Sequence, residues 1–156
     1  MSEIKKAVSK FETVRRYYNL PSIPAFTGEA IRHDFGRNVG IVGGEFWSEY
    51  YELLKNSDGL AADGVYFFGI NCEKDLRAYR LIENNRALSE PGLEAPGFER
   101  LIYIGTSNTD SFVYNTSNQK WESRDRIGTD TVYESHDSLA ELLNFEADKL
   151  VASLED

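Results

Sequence analysis

Residues 101–127 read LIYIGTSNTDSFVYNTSNQKWESRDRI, and this stretch decides the fold. An unbroken apolar run, Leu101–Ile104, ends at Gly105 and is followed by turn-forming residues. Two further runs, Phe112–Tyr114 and Trp121–Ile127, alternate in polarity and are separated by an asparagine-containing turn. Short alternating runs joined by polar turns predict adjacent antiparallel strands of a sheet with one solvated face.

The third run also predicts which side chains face the core. Trp121 and Ile127 fall on one face of an ideal strand, because successive side chains point to opposite faces. The charged residues of the run fall on the opposite face, which we expect to be solvated: Lys120, Glu122, Arg124 and Arg126.

Helices are predicted before and after this stretch. Ser2 is a suitable N-cap for a first helix, whose apolar residues recur at helical spacing. A wide apolar stripe over 45–55 predicts a second helix, a thinner one over 75–88 predicts a third at the sheet edge, and leucines from about Asp137 predict a fourth. The apolar face of a sheet must be buried by other secondary-structure elements. We therefore expect an α+β fold, in which N-terminal and C-terminal helices cover an antiparallel-dominated sheet in a single domain, 1–156.

The charge balance restricts the class of partner. The chain has 156 residues, with 26 acidic side chains against 17 basic ones and a formal net charge of −9. Phosphate affinity comes from clustered Lys and Arg, so nucleic-acid binding is disfavoured, whereas an acidic surface favours basic partners. Because no apolar stretch follows Met1–Lys6, we expect no signal peptide; no run approaches the length of a membrane span, and Cys72 is the one cysteine. We therefore expect a cytoplasmic protein with no disulfide within the chain and no membrane partner.

Side chains that usually carry catalysis or bind metals are sparse. His33 and His136 are far apart, and with one cysteine they leave no ligand spacing typical of zinc. The glycines between Pro24 and Gly44 match neither a Walker motif nor the dinucleotide-binding fingerprint. We therefore expect no catalytic residue, no metal and no other cofactor.

Several short motifs resemble those of one family. They are the helix motif EFWSEY at 45–50, the strand motif GVYFFGI at 64–70, and Ile104-Gly105, Asp110, Tyr114 and Tyr133-Glu134-Ser135 in the second half. Together they resemble the SUKH superfamily of Smi/Knr-like domains, and its YrhA-like branch in particular. The resemblance covers residues 44–143 and leaves 1–40, an expected helix and loop, without a matching motif. His136 stands where the family usually has a phenylalanine.

The resemblance implies a function as well as an α+β fold. Many SUKH domains protect a bacterial cell by binding a toxin, often a nuclease, and others are regulatory scaffolds. Our first hypothesis is a non-catalytic immunity protein whose acidic surface binds and neutralises a basic toxin. The alternatives are a regulatory scaffold that binds an endogenous partner, or a small-molecule sensor or enzyme that uses a cleft near Tyr66, Phe68 and Cys72.

Interfaces commonly combine aromatic anchors at the centre with steering charges at the rim. On that basis we predict these partner-binding residues: Tyr66, Trp121, Glu122, Asp125, Asp130 and Glu134. For Trp121, burial in the core is the competing interpretation. The sequence leaves the oligomeric state open.

Overall fold

The structure is a computed structural model, and it describes residues 2–30, 33–37, 39, 44–89 and 97–154. The helices there are α1 (Glu3–Tyr17), α2 (Gly44–Leu54), a 3-10 helix (Lys74–Tyr79), α3 (Leu81–Ala87) and α4 (Leu139–Ser153). The strands are β1 (Leu60–Ala62), β2 (Val65–Phe67), β3 (Leu101–Thr106), β4 (Asp110–Asn115), β5 (Lys120–Asp125) and β6 (Val132–His136). The six strands form one antiparallel sheet in sequence order. The α+β class expected from the sequence is therefore confirmed.

The turns of the central meander are held by their own polar side chains. The Ser107 hydroxyl accepts hydrogen bonds from two backbone N–H groups of the β3–β4 turn. In the β4–β5 turn, Asn115 accepts from the N–H of Ser117, and Asn118 accepts from that of Lys120. Short polar side chains that bond the backbone two residues on are typical of tight turns. The predicted adjacency of the three central strands is confirmed.

One face of the sheet carries the main core, which α1, α2 and α4 cover. Ile102, Ile104, Phe112 and Tyr114 project from β3 and β4 onto this face. Gly105 lets β2 approach β3 closely, because a Cβ at this position would collide with the carbonyl oxygen of Tyr66. The helices contribute side chains that are fully or almost fully buried: Val8, Phe11, Val14, Phe46, Tyr50, Leu142 and Leu143.

The opposite face is not solvated along its whole length, so that expectation was wrong. A second cluster of Phe98, Leu101 and Val113 packs there. Glu122 on the same face is 3% exposed and pairs with Arg124. The carboxylate of Glu122 and the guanidinium of Arg124 pair with each other instead of being solvated.

Ile127 was predicted to share the core face with Trp121, and it does not. The strand ends at Asp125, and Ile127 lies in the following turn with 96% of its surface exposed. The sequence prediction also missed β6, because an edge strand with exposed side chains lacks a regular apolar alternation.

The helix predicted over residues 75–88 is interrupted at Arg80. Its backbone is extended there (φ −96°, ψ 133°), which separates the 3-10 helix from α3. Gly69 donates its N–H to Tyr79 O (3.1 Å) and accepts from the N–H of Leu81 (2.8 Å). In α3, the Asn85 side chain bonds both N–H and C=O of Tyr103, so this helix lies beside the part of β3 that extends past its pairing with β2.

Candidate functional site

Five of the six predicted partner-binding residues lie on the β5–β6 hairpin, and three of these five are at least partly exposed. Asp125 ends β5, Asp130 is exposed in the turn, and Glu134 is half-buried on β6. Tyr66 lies on β2, at the other side of the sheet.

Trp121 is a core residue and not an interface anchor, because none of its surface is exposed. Its ring stacks on Phe46 with centroids 5.5 Å apart. The indole N–H donates to Glu49 Oε2 at 3.3 Å, and the other oxygen of that carboxylate accepts from the N–H of Leu139 at 3.0 Å. Trp121 and Glu49 therefore join β5 to α2 and to the start of α4.

Glu122 is also buried, so it cannot be one of the predicted partner-binding residues. Its Oε1 accepts from Nε (2.9 Å) and Nη2 (2.7 Å) of Arg124. The remaining guanidinium nitrogen of Arg124 donates to the carbonyl of Thr129 at 3.0 Å. This ion pair orders the turn between β5 and β6, and breaking it would leave a buried charge.

The hairpin exposes apolar side chains among its carboxylates. Val132 and Tyr133, like Ile127, are exposed large side chains. We call the following set the hairpin surface: Asp125, Ile127, Asp130, Val132, Tyr133 and Glu134. Hydrogen bonds from the N–H groups of Ile127 and Gly128, and from the Tyr133 hydroxyl, hold the pKa of Asp125 below its ordinary value. The turn that presents Ile127 is thus organised by a charged carboxylate.

The backbone of the hairpin surface also has a free edge. β6 is the outermost strand of the sheet order, and in the described part of the chain it pairs with β5 alone. Its outer N–H and C=O groups can therefore pair with an added strand.

A second candidate site is a cleft of about 530 Å³ between the end of α1, the β1–β2 hairpin and the segment before the 3-10 helix. Tyr66 and Cys72, which the sequence placed near a cleft, both line it. Phe68 does not, because it is 1% exposed and packs edge-to-face on Tyr103 at 4.9 Å. The cleft prediction thus stands for two of its three residues.

Cys72 is a poor nucleophile in this cleft. Its thiol lies 3.2 Å from Leu76 O, to which it can donate. Burial, with a smaller contribution from the charge of Asp58, raises the pKa of the thiol and keeps it protonated. The two histidines lie elsewhere: His33 Nε2 is 3.0 Å from the Tyr51 hydroxyl, and the His136 ring packs on Phe145 with its buried Nε2 lacking a hydrogen-bond partner among the described residues.

Arg15 is a cleft residue that the sequence reasoning missed. It lies four residues after Phe11 on the buried face of α1, and this spacing was the available signal. Its Nε donates to Pro21 O (2.8 Å) and its Nη1 to Ala61 O (2.9 Å). Burial lowers the pKa of Arg15, and the nearby Tyr66 opposes that effect.

A buried carboxyl lies on the inner face of α4. Glu146 is 4% exposed and has Lys149 Nζ at 2.8 Å from its Oε2. Burial raises the pKa of Glu146, and the charges of Asp110 and Glu134 act in the same direction against the pairing with Lys149. Asp110, Glu146 and Lys149 also line a shallow groove of about 320 Å³.

Comparison with family models, with curated proteins and with solved structures finds no match for this chain. Within the described ranges, no helix combines the length and the apolar character that crossing a membrane requires. The same residues contain no group of three or more His, Cys, Asp or Glu side chains that could hold a metal ion. The geometry of the hairpin surface and of the cleft therefore carries the functional argument.

Proposed function

We propose that this chain is a non-catalytic binding protein whose hairpin surface docks a basic protein partner. The observation that carries the proposal is the exposure of Ile127, Val132 and Tyr133 beside Asp125 and Asp130 on one edge hairpin. Protein interfaces commonly combine apolar contacts with charged residues at the rim.

The charge of this surface determines the kind of partner. The hairpin surface contains three carboxylates, and one arginine, Arg126, lies within the same segment. The guanidinium of Arg126 donates to the carbonyl of Ser107 at 3.1 Å. Carboxylates at the rim of an apolar contact accelerate the encounter with a basic protein. Through the resemblance to SUKH domains, the partner we favour is a toxin that this protein neutralises in the cytoplasm, with a regulatory partner as the alternative.

Stopped-flow mixing with the protein encoded by the adjacent gene tests this proposal. Lowering the Debye length from about 30 Å at 0.01 M salt to about 8 Å at 0.15 M should slow association roughly tenfold. Reversing Asp130 and Glu134 to Lys should slow association further without changing the fold. The matched control reverses Asp75 and Glu83, which are exposed on the other side of the sheet and change the net charge equally.

Ile127 provides an independent variant. Ile127→Ser should accelerate dissociation, because it removes an exposed apolar contact that has no role in the core. Tyr17→Ser, at an exposed residue near the end of α1, is the matched control and should leave dissociation unchanged. An association rate that does not change with salt would refute the electrostatic mechanism. If the protein does not bind the product of the adjacent gene, the immunity role is refuted and the regulatory scaffold is favoured.

A further inference from the structure

The cleft beside α1 contains an arginine that is not neutralised by a carboxylate. Arg15 is 8% exposed, and both of its hydrogen-bond acceptors are neutral backbone carbonyls, those of Pro21 and Ala61. The hydrogen bonds and ion pairs of the described residues leave its Nη2 group without an acceptor. A largely buried cation without a counter-ion is costly, so an anion delivered to this position would be stabilised.

The cleft has the size and the apolar lining of a small-molecule site. Its volume is about 530 Å³, and Pro21, Ile23, Ala62 and Leu76 are among its lining residues. Pockets of roughly 300–1,000 Å³ with mainly apolar walls and a few polar groups are typical of such sites. Tyr66 adds an aromatic wall, because its ring is held by stacking on Tyr79 at 3.8 Å.

Among the described residues, none of the four carboxylates of the lining forms an ion pair or a hydrogen bond with Arg15. Asp58 accepts hydrogen bonds from two backbone N–H groups, and Glu73 forms ion pairs with two arginines. Asp63 and Asp75 are exposed, so water screens their charges. Lys74 lines the same cleft and supplies a second cation.

We propose that this cleft binds a small monocarboxylate with an apolar body. The carboxylate accepts a charge-assisted hydrogen bond from Nη2 of Arg15, the guanidinium nitrogen that has no acceptor among the described residues. The apolar body lies against Ile23 and Leu76. This site is separate from the hairpin surface, since β2 and β6 lie at opposite sides of the sheet, and it does not depend on the protein-binding proposal.

Titration of the ¹⁵N-labelled protein with 4-phenylbutyrate, followed by NMR, tests the site. Chemical-shift changes should concentrate at the amides of Tyr66 and Leu76. The neutral isostere 4-phenylbutanamide should bind about tenfold or more weakly, because it loses a charge-assisted hydrogen bond. Equal affinities for acid and amide, shifts confined to other surfaces, or no shifts at millimolar acid would each overturn the proposal.

Neighbouring arginines on one helix supply matched variants. Arg15→Gln should weaken binding of the acid about tenfold and binding of the amide by less, because a neutral amide oxygen pairs more weakly with a guanidinium than a carboxylate does. Arg16→Gln should change neither affinity, because Arg16 is exposed and its Nη2 bonds Thr13 Oγ1. If Arg15→Gln does not fold, Leu76→Trp serves instead, because it fills the cleft and leaves Arg15 in place. Unchanged binding of the acid by Leu76→Trp would overturn the proposal.

Discussion

Replacing Glu49 by alanine tests how the helices are joined to the sheet. The substitution removes the acceptor of the Trp121 indole N–H, and a buried donor without a partner costs about 1–3 kcal/mol. It also removes the hydrogen bond that Glu49 accepts from the N–H of Leu139 at the start of α4. A carboxylate at a helix N-terminus contributes about 0.5–1 kcal/mol. We expect the free energy of unfolding to fall by about 3 kcal/mol, and the melting temperature to fall by about 6–12 °C.

Urea unfolding monitored by tryptophan fluorescence measures this loss, with two variants of the same helix for comparison. Glu49→Gln keeps one acceptor oxygen and should lose less than half as much stability. Glu45→Ala removes an exposed carboxylate from the first turn of α2 and should cost about 0.5 kcal/mol. A Glu49→Ala variant as stable as Glu45→Ala would refute the joining role of this carboxylate.

Three further predictions concern stability. Burial raises the pKa of Glu146 above its ordinary value. The stability gained from its protonated form is therefore complete below the unfolded-state pKa and is lost as pH rises through the folded-state pKa. Glu146→Gln should therefore be more stable than the parent in urea at pH 7, and the difference should vanish toward pH 4. Asp58→Asn keeps one acceptor for the N–H groups of Ile70 and Asn71 and should cost about 2 kcal/mol, against under about 0.5 kcal/mol for the exposed Asp75→Asn. Dialysis against EDTA should leave the melting temperature unchanged, and a fall of several degrees would reveal a metal site.

Part of the candidate site was predictable from the sequence. The carboxylates of 125–134 fall within one short segment, so any turn there brings them close together. The exposure of Ile127 was not predictable, because continuing the strand by two residues would place it on the core face with Trp121. The chain leaves β5 at Asp125, where its carboxylate accepts from the N–H of Ile127 and favours a turn.

The cleft depended on tertiary contacts. Arg15, Ala61 and Tyr66 come from different elements, and no local pattern indicates that they share a cavity. The burial of Glu122 was not predictable either, although its ion-pair partner Arg124 lies only two residues away on β5. The alternation of side chains along β5 predicts that Glu122 and Arg124 lie on the face opposite Trp121, but it does not predict that this face is buried.

The sequence by itself determined the elements whose signals are local. The Ser2 cap of α1 is one, since its hydroxyl accepts from the N–H of Lys5, three residues along the chain. The polar turns and the alternating side chains of β4 are further elements with local signals. Tertiary structure decided where the predicted third helix breaks, because pairing with Gly69 extends the backbone at Arg80. It also decided which polar side chains are buried, because burial depends on neighbours that are distant in sequence.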